Sequence, residues 1–106
     1  MTSLLAGSSP STRGPYNRMH AELKEGSLVL RFGRQFGVPE AERLSETIRS
    51  FAALSQLTLD FTGVREFQDS ACGLLAATLA ANRALKVVLL GLTRHQSRML
   101  RYFGVR

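Results

Sequence analysis

At 106 residues the chain has room for one ordinary domain and too little for two. A composition that is 44% hydrophobic and 8% aromatic supports a packed core and excludes a wholly disordered polypeptide. The formal net charge of +6 raises nucleic acid, an anionic membrane surface or an acidic protein as partners. That charge is unevenly placed. All eight acids lie between Glu22 and Asp69, whereas residues 70–106 hold Arg83, Lys86, Arg94, Arg98, Arg101 and Arg106 and no acid. The single cysteine, Cys72, excludes an internal disulfide and fits a reducing compartment. No apolar run approaches the roughly 20 residues needed to cross a bilayer, and Met1–Leu5 is too short for a signal-peptide core. The expectation is a cytoplasmic protein without membrane insertion.

Residues 1–18 are rich in Ser, Gly, Pro and Thr and are read as a flexible tail, leaving 19–106 as the domain. His20–Lys24 and Ser27–Phe32 predict two strands around a tight turn at Glu25-Gly26, with Leu28, Leu30 and Phe32 on one face. Gly33 and Gly37 then loosen the chain. Pro39 suits a helix start, and Ala41, Leu44, Ile48, Phe51 and Ala52 recur at helical steps, with Glu40, Glu42, Arg43, Glu46 and Arg49 mainly on the wet side. Leu57, Leu59 and Phe61 alternate with Thr58 and Asp60, as in a strand buried on one face. A turn at Thr62-Gly63 leads to a helix over Ala71–Asn82, whose Cys72, Leu75 and Leu79 form an inward line. Lys86–Gly91 is nearly all apolar and reads as a central strand. Thr93 caps a last helix with Gln96 at the capping-box position, Met99, Leu100 and Phe103 on its apolar side, and Gly104 as terminator. The order β-β-α-β-α-β-α predicts an α/β domain: a mixed sheet of about four strands, an opening antiparallel hairpin, then right-handed parallel crossovers. Helices are expected on one sheet face, with the other partly open.

The stretch Phe67-Gln68-Asp69-Ser70-Ala71-Cys72-Gly73-Leu74-Leu75 organises this chain. Asp69 or Ser70 is expected to cap the helix with a side-chain oxygen, at an end whose dipole favours an anion. Chemistry is otherwise sparse. A Cys72–His95 nucleophile pair is conceivable, but a cysteine in line with Leu75 and Leu79 behaves as a small hydrophobe, so no catalytic residue is assigned. Two isolated histidines and one cysteine make no metal site, and Gly33 and Gly37 lack the Lys and Ser/Thr of a phosphate loop, so no cofactor is expected. Arg94, Arg98 and Arg101 line one side of the last helix and could track phosphates or meet an acidic protein or lipid headgroups. Without interleaved aromatics or a helix-turn-helix pattern, nucleic acid is the weaker reading.

Leu59-Asp60-Phe61-Thr62-Gly63-Val64 followed by Phe67-Gln68-Asp69-Ser70-Ala71 resembles the core signature of STAS domains, and Met99–Val105 also fits. The resemblance spans about residues 19–106. It implies a regulatory protein without enzymatic activity, similar to the bacterial anti-sigma-factor antagonists that bind a serine kinase acting as anti-sigma factor. It also implies partner binding through Phe67, Gln68, Asp69, Ser70, Ala71, Cys72 and Leu74. The family's usual order is Asp-Ser-Ser/Thr-Gly, with the second hydroxyl phosphorylated. Here Ala71 holds that position and Cys72 the glycine, so the phospho-switch is not carried over, and Ser70 is left as the one possible phosphorylation site in the motif. Other STAS domains are cytosolic subunits of membrane transporters, including phospholipid-type ABC transporters. These commonly depart from the acceptor pattern, which makes a transporter ATPase the alternative partner.

Overall fold

The computed structural model describes residues 19–51 and 53–105; the expected tail over 1–18 lies outside them. Strand β1 (Met19–Lys24) and strand β2 (Ser27–Phe32) form the opening hairpin, with Leu23 opposite Leu28 and Ala21 opposite Leu30. Its two-residue loop needs positive φ at both positions, which Glu25 (48°) and Gly26 (81°) adopt, matching the twist of the strands. Strand β4 (Gln56–Asp60) pairs parallel to β2, and β6 (Lys86–Leu90) pairs parallel to β4. The sheet order is β1-β2-β4-β6.

Three helices cover one face of that sheet. Helix α1 (Val38–Ser50) contributes Ala41, Leu44 and Ile48, helix α2 (Asp69–Ala81) contributes Ala71, Cys72 and Leu75, and helix α3 (Arg94–Tyr102) contributes Leu100. They meet Leu28, Leu30, Leu57 and Leu59, all fully buried, because the two-residue period and the parallel register place these four on the same side. The opposite face carries Val29, Thr58 and Val88 in one row across the sheet, flanked by polar and charged neighbours.

The structure corrects the sequence reading in four places. Lys86–Leu90 is an edge strand: Val87 and Leu89 turn toward the helices, but Val88 is half-buried and Leu90 is 45% exposed, so its apolar run does not reflect a central position. Glu40 is buried, because its carboxylate turns back to accept the Gly37 amide at 2.8 Å at the start of α1. The helix after Thr62-Gly63 begins at Asp69, two residues early. Between Gly33 and Gly37 the chain forms β3 (Gln35–Phe36), which pairs parallel with β5 (Glu66–Phe67) as a separate two-stranded ribbon. Two-residue strands carry no periodic signal, so nothing in the sequence announced them.

Gly91 joins β6 to α3 with φ +74°, and a Cβ there would stand 2.6 Å from the backbone N and Cα of Thr62. Gly91→Ala is expected to destabilise the domain by at least about 1–3 kcal/mol from the left-handed backbone alone, with the clash adding to it. Gly63→Ala, where the nearest atom would be 3.7 Å away, should stay within about 0.5 kcal/mol. Urea melts of the two variants check the contrast.

Candidate partner-docking site

The start of α2 is set by packing from below. Phe32, Phe36, Phe61 and Phe67 form a ring cluster, with centroids 4.9 Å apart for Phe32–Phe36, 5.0 Å for Phe32–Phe61 and 5.2 Å for Phe36–Phe61. Phe67 joins at 5.5 Å from both Phe36 and Phe61. These are the edge-to-face and offset distances that aromatic pairs prefer. The backbone follows the rings. The Arg65 and Glu66 amides donate to the Arg34 carbonyl at 2.7 and 2.9 Å, and the Gln68 amide donates to the Phe36 carbonyl at 3.1 Å. The turn before this segment is held by Asp60, whose carboxylate accepts both the hydroxyl and the amide of Thr62 and faces the Arg31 Nε at 3.3 Å. The Thr62 hydroxyl, then its amide, hold the Asp60 carboxyl below its ordinary value; partial burial opposes this and Arg31 adds to it.

Gln68, not Asp69 or Ser70, is the N-cap of α2, and it caps through its backbone with no side-chain hydrogen bond. Its carbonyl accepts the Ala71 and Cys72 amides, while its side-chain amide lies over Gly37, 2.7 Å from where a Cβ would stand. Asp69 and Ser70 are instead the first two helical residues, both exposed, and among the described residues neither side chain is paired. Asp69 therefore meets the helix dipole as a first-turn anion.

The expected docking residues divide by burial. Gln68, Asp69, Ser70 and Leu74 are exposed, the last at 37%, and Phe67 is half-buried against its ring partners. Ala71 and Cys72 are fully buried beside Leu75, so neither presents a side chain to a partner, because the helical period turns both toward the sheet. Burial, with the charge of Asp69 adding, pushes the Cys72 thiol up to about 11. It remains protonated near neutral pH and supplies no thiolate. Exposed His95 lies at the start of α3. Among the described residues, no three His, Cys, Asp or Glu side chains come together as metal ligands, and no helix is long and apolar enough to cross a membrane.

The structure adds residues that sequence reasoning left out. From Ser70 to Asn82 there is no charged residue, yet Leu74, Ala77, Ala80 and Ala81 face solvent. A helix apolar on all sides is ordinarily buried on all sides, and that lack of a polar face was a signal available in the sequence. Beside this face, the Phe103 ring lies 3.8 Å from where a Cβ on Gly73 would stand, and it packs against Tyr102 at 5.5 Å between centroids. Phe103 is 36% exposed and Tyr102 is 86% exposed. On the other flank, Glu42, Glu46 and Arg49 of α1 border a shallow groove floored by Leu74, Ala77 and Ala81.

Residues 19–106 match the family model described as Mlab, STAS domain. Similar solved structures include the anti-sigma factor antagonist SpoIIAA in its unphosphorylated form, at 14% identity and a TM-score of 0.67 over 79% of this chain and 82% of that one. An antisigma-factor antagonist STAS domain from Rhodobacter sphaeroides aligns at 16% identity and a TM-score of 0.56, over 73% of this chain and 88% of that one. A further likeness, to Mglu, has 14% identity and a TM-score of 0.62; it covers 70% of this chain and only 19% of that much longer one. At these identities the likeness is one of fold. No curated protein sequence matches the chain.

Two outcomes test this geometry. A thiol reagent at pH 8 should leave Cys72 unmodified in the native protein and label it fully in urea, since its pKa is raised by burial that unfolding removes. Asp60, with a lowered folded pKa, contributes stability that is present above the ordinary carboxylate value of about 4 and lost as pH falls through the lowered one. Asp60→Asn should therefore destabilise the domain at pH 7 and shrink the acid-induced loss below about pH 4, as read from melts across that range.

Proposed function

The chain belongs to the STAS domain family, and from that premise we propose that it is a non-enzymatic docking module of the anti-sigma-factor-antagonist kind. It receives a protein partner on the outer face of α2, from Asp69 and Ser70 through Leu74 to Ala77. The observation that carries this reading is an uncharged, apolar helix face left open to solvent. Leaving such a face wet is unfavourable for a lone domain, and covering it with a partner recovers hydrophobic stabilisation at about 25 cal/mol per Å². Phe67 acts from beneath by fixing the helix start, and Gln68 and Asp69 border the face at its upper end.

Docking is constitutive in this reading. Position 71 has no hydroxyl and its side chain is buried, so the family's acceptor is missing. Ser70 is the exposed hydroxyl in the motif. A phosphate on it would sit at a helix N-terminus, which tolerates the charge, and would act on the partner rather than on the fold.

The missing acceptor also supports a second reading, in which the module is a cytosolic subunit of a membrane transporter and the same face contacts an ATPase. Affinity capture from native lysate followed by mass spectrometry separates the two, according to whether an ATP-binding serine kinase or a transporter ATPase is recovered. With either partner in hand, Asp69→Lys and Ser70→Glu should each weaken binding about tenfold or more, roughly 1.4 kcal/mol, with the domain still folded: the helix dipole costs Asp69→Lys about 0.3–1 kcal/mol and favours Ser70→Glu. Unchanged affinity in both variants would remove α2 as the docking face.

A further inference from the structure

The last helix carries three exposed arginines, of which only Arg101, in the last turn, is favoured by the helix dipole. Arg94 opens α3, where the helix dipole disfavours a cation. Arg98 follows at four residues and Arg101 at a further three, spacings at which like charges repel along a helix. All three are exposed, and the ion pair formed among the described residues is Arg31–Asp60, so none of the three has a carboxylate neighbour there. No acid follows Asp69 in the sequence to supply one from its own stretch. Tyr102 stands four residues after Arg98 on the same outward face, and its ring leads through Phe103 to Gly73 of α2. The basic face is therefore continuous with the uncharged one.

We infer that the outward face of α3, through Arg94, Arg98, Arg101 and Tyr102, receives an acidic segment of the protein that docks on α2. This inference rests on the docking surface proposed above. Planar guanidinium groups pair with carboxylates through two parallel hydrogen bonds, and an exposed tyrosine offers a rigid anchor with a polar tip. Other polyanions fit less well. Nine residues give α3 a length of about 13 Å, enough to meet only a few phosphates, and Leu74 and Ala77 alongside have nothing to offer a nucleic-acid backbone. A lipid surface needs a helix with a free apolar side, whereas Leu100, on the far side of α3, is 1% exposed within the core. An acidic protein segment satisfies the charged and the apolar parts together.

The test places a photo-crosslinking amino acid at Tyr102 and, separately, at Leu74 of the full chain. After irradiation in native lysate, the trapped peptides are sequenced by mass spectrometry. Both positions should trap the same protein, and the peptide trapped at 102 should carry net negative charge. Binding of that protein should weaken at least tenfold in the double variant Arg98→Glu/Arg101→Glu, less in Arg98→Lys/Arg101→Lys, with circular dichroism unchanged in both. Trapping at 74 combined with a basic peptide, nucleic acid, lipid or nothing at 102 overturns the acidic-segment inference and leaves the docking surface standing. Full affinity in the folded Glu variant also overturns it. No protein trapped at either position overturns both.

Discussion

Everything proposed for this domain depends on four phenylalanine rings packed beneath one helix start. Phe32 closes β2, Phe36 lies in the short ribbon, Phe61 follows β4, and Phe67 sits two residues before α2. Their mutual contacts tie two crossover connections to the same point, so the sheet and the entry to α2 are fixed together. Truncating one phenylalanine in such a core costs about 3–5 kcal/mol, a large share of the 5–15 kcal/mol that holds a domain folded. The Gln68 backbone is then held from both sides: its amide donates to the Phe36 carbonyl, and its own carbonyl accepts the Ala71 and Cys72 amides. Asp69 and Ser70 are presented to solvent by a rigid support, not by a mobile loop.

That arrangement separates what holds the site from what the site offers. Ala71, Cys72 and Leu75 face inward and are part of the core, so position 71 is a packing position in this chain. Ser70, Leu74, Ala77 and the ring of Phe103 face outward beside the arginines of α3. A partner surface matching them must be apolar at its centre and acidic on the side of α3. The opposite flank, where Glu42 and Glu46 outnumber Arg49, lacks the uniformly basic character of α3 and would help orient the partner across α2.

Much of this was legible in the residues. Alternation in Leu28–Phe32, the helical stripe of α1, and the Thr93–Gln96 capping box each report a local period or a local hydrogen bond, and the structure contains them; in Leu57–Phe61 the alternation holds in direction, but Thr58 is buried as well. The box is closed by reciprocal bonds of 3.0 Å. What stayed hidden was set by distant partners. Gln96 also donates to the Val64 carbonyl at 3.2 Å, and no local rule signals a bond across that sequence distance. The β3–β5 ribbon depends on pairing segments about thirty residues apart (a separation of the kind that loop-closure entropy disfavours). The edge position of β6 was missed because an apolar run measures burial and not sheet order. Asp69 and Ser70 lost the capping role because the phenylalanine packing moves the helix start to Gln68, where propensity rules would not place it.

The most direct measurement is amide chemical-shift mapping of the isotopically labelled domain on titration with its captured partner. A docking surface on α2 predicts the largest changes at Ser70, Gly73, Leu74 and Ala77, extending to Arg98 and Tyr102, with Val29, Thr58 and Val88 on the open sheet face unmoved. Changes centred on that open face, with α2 silent, would contradict it.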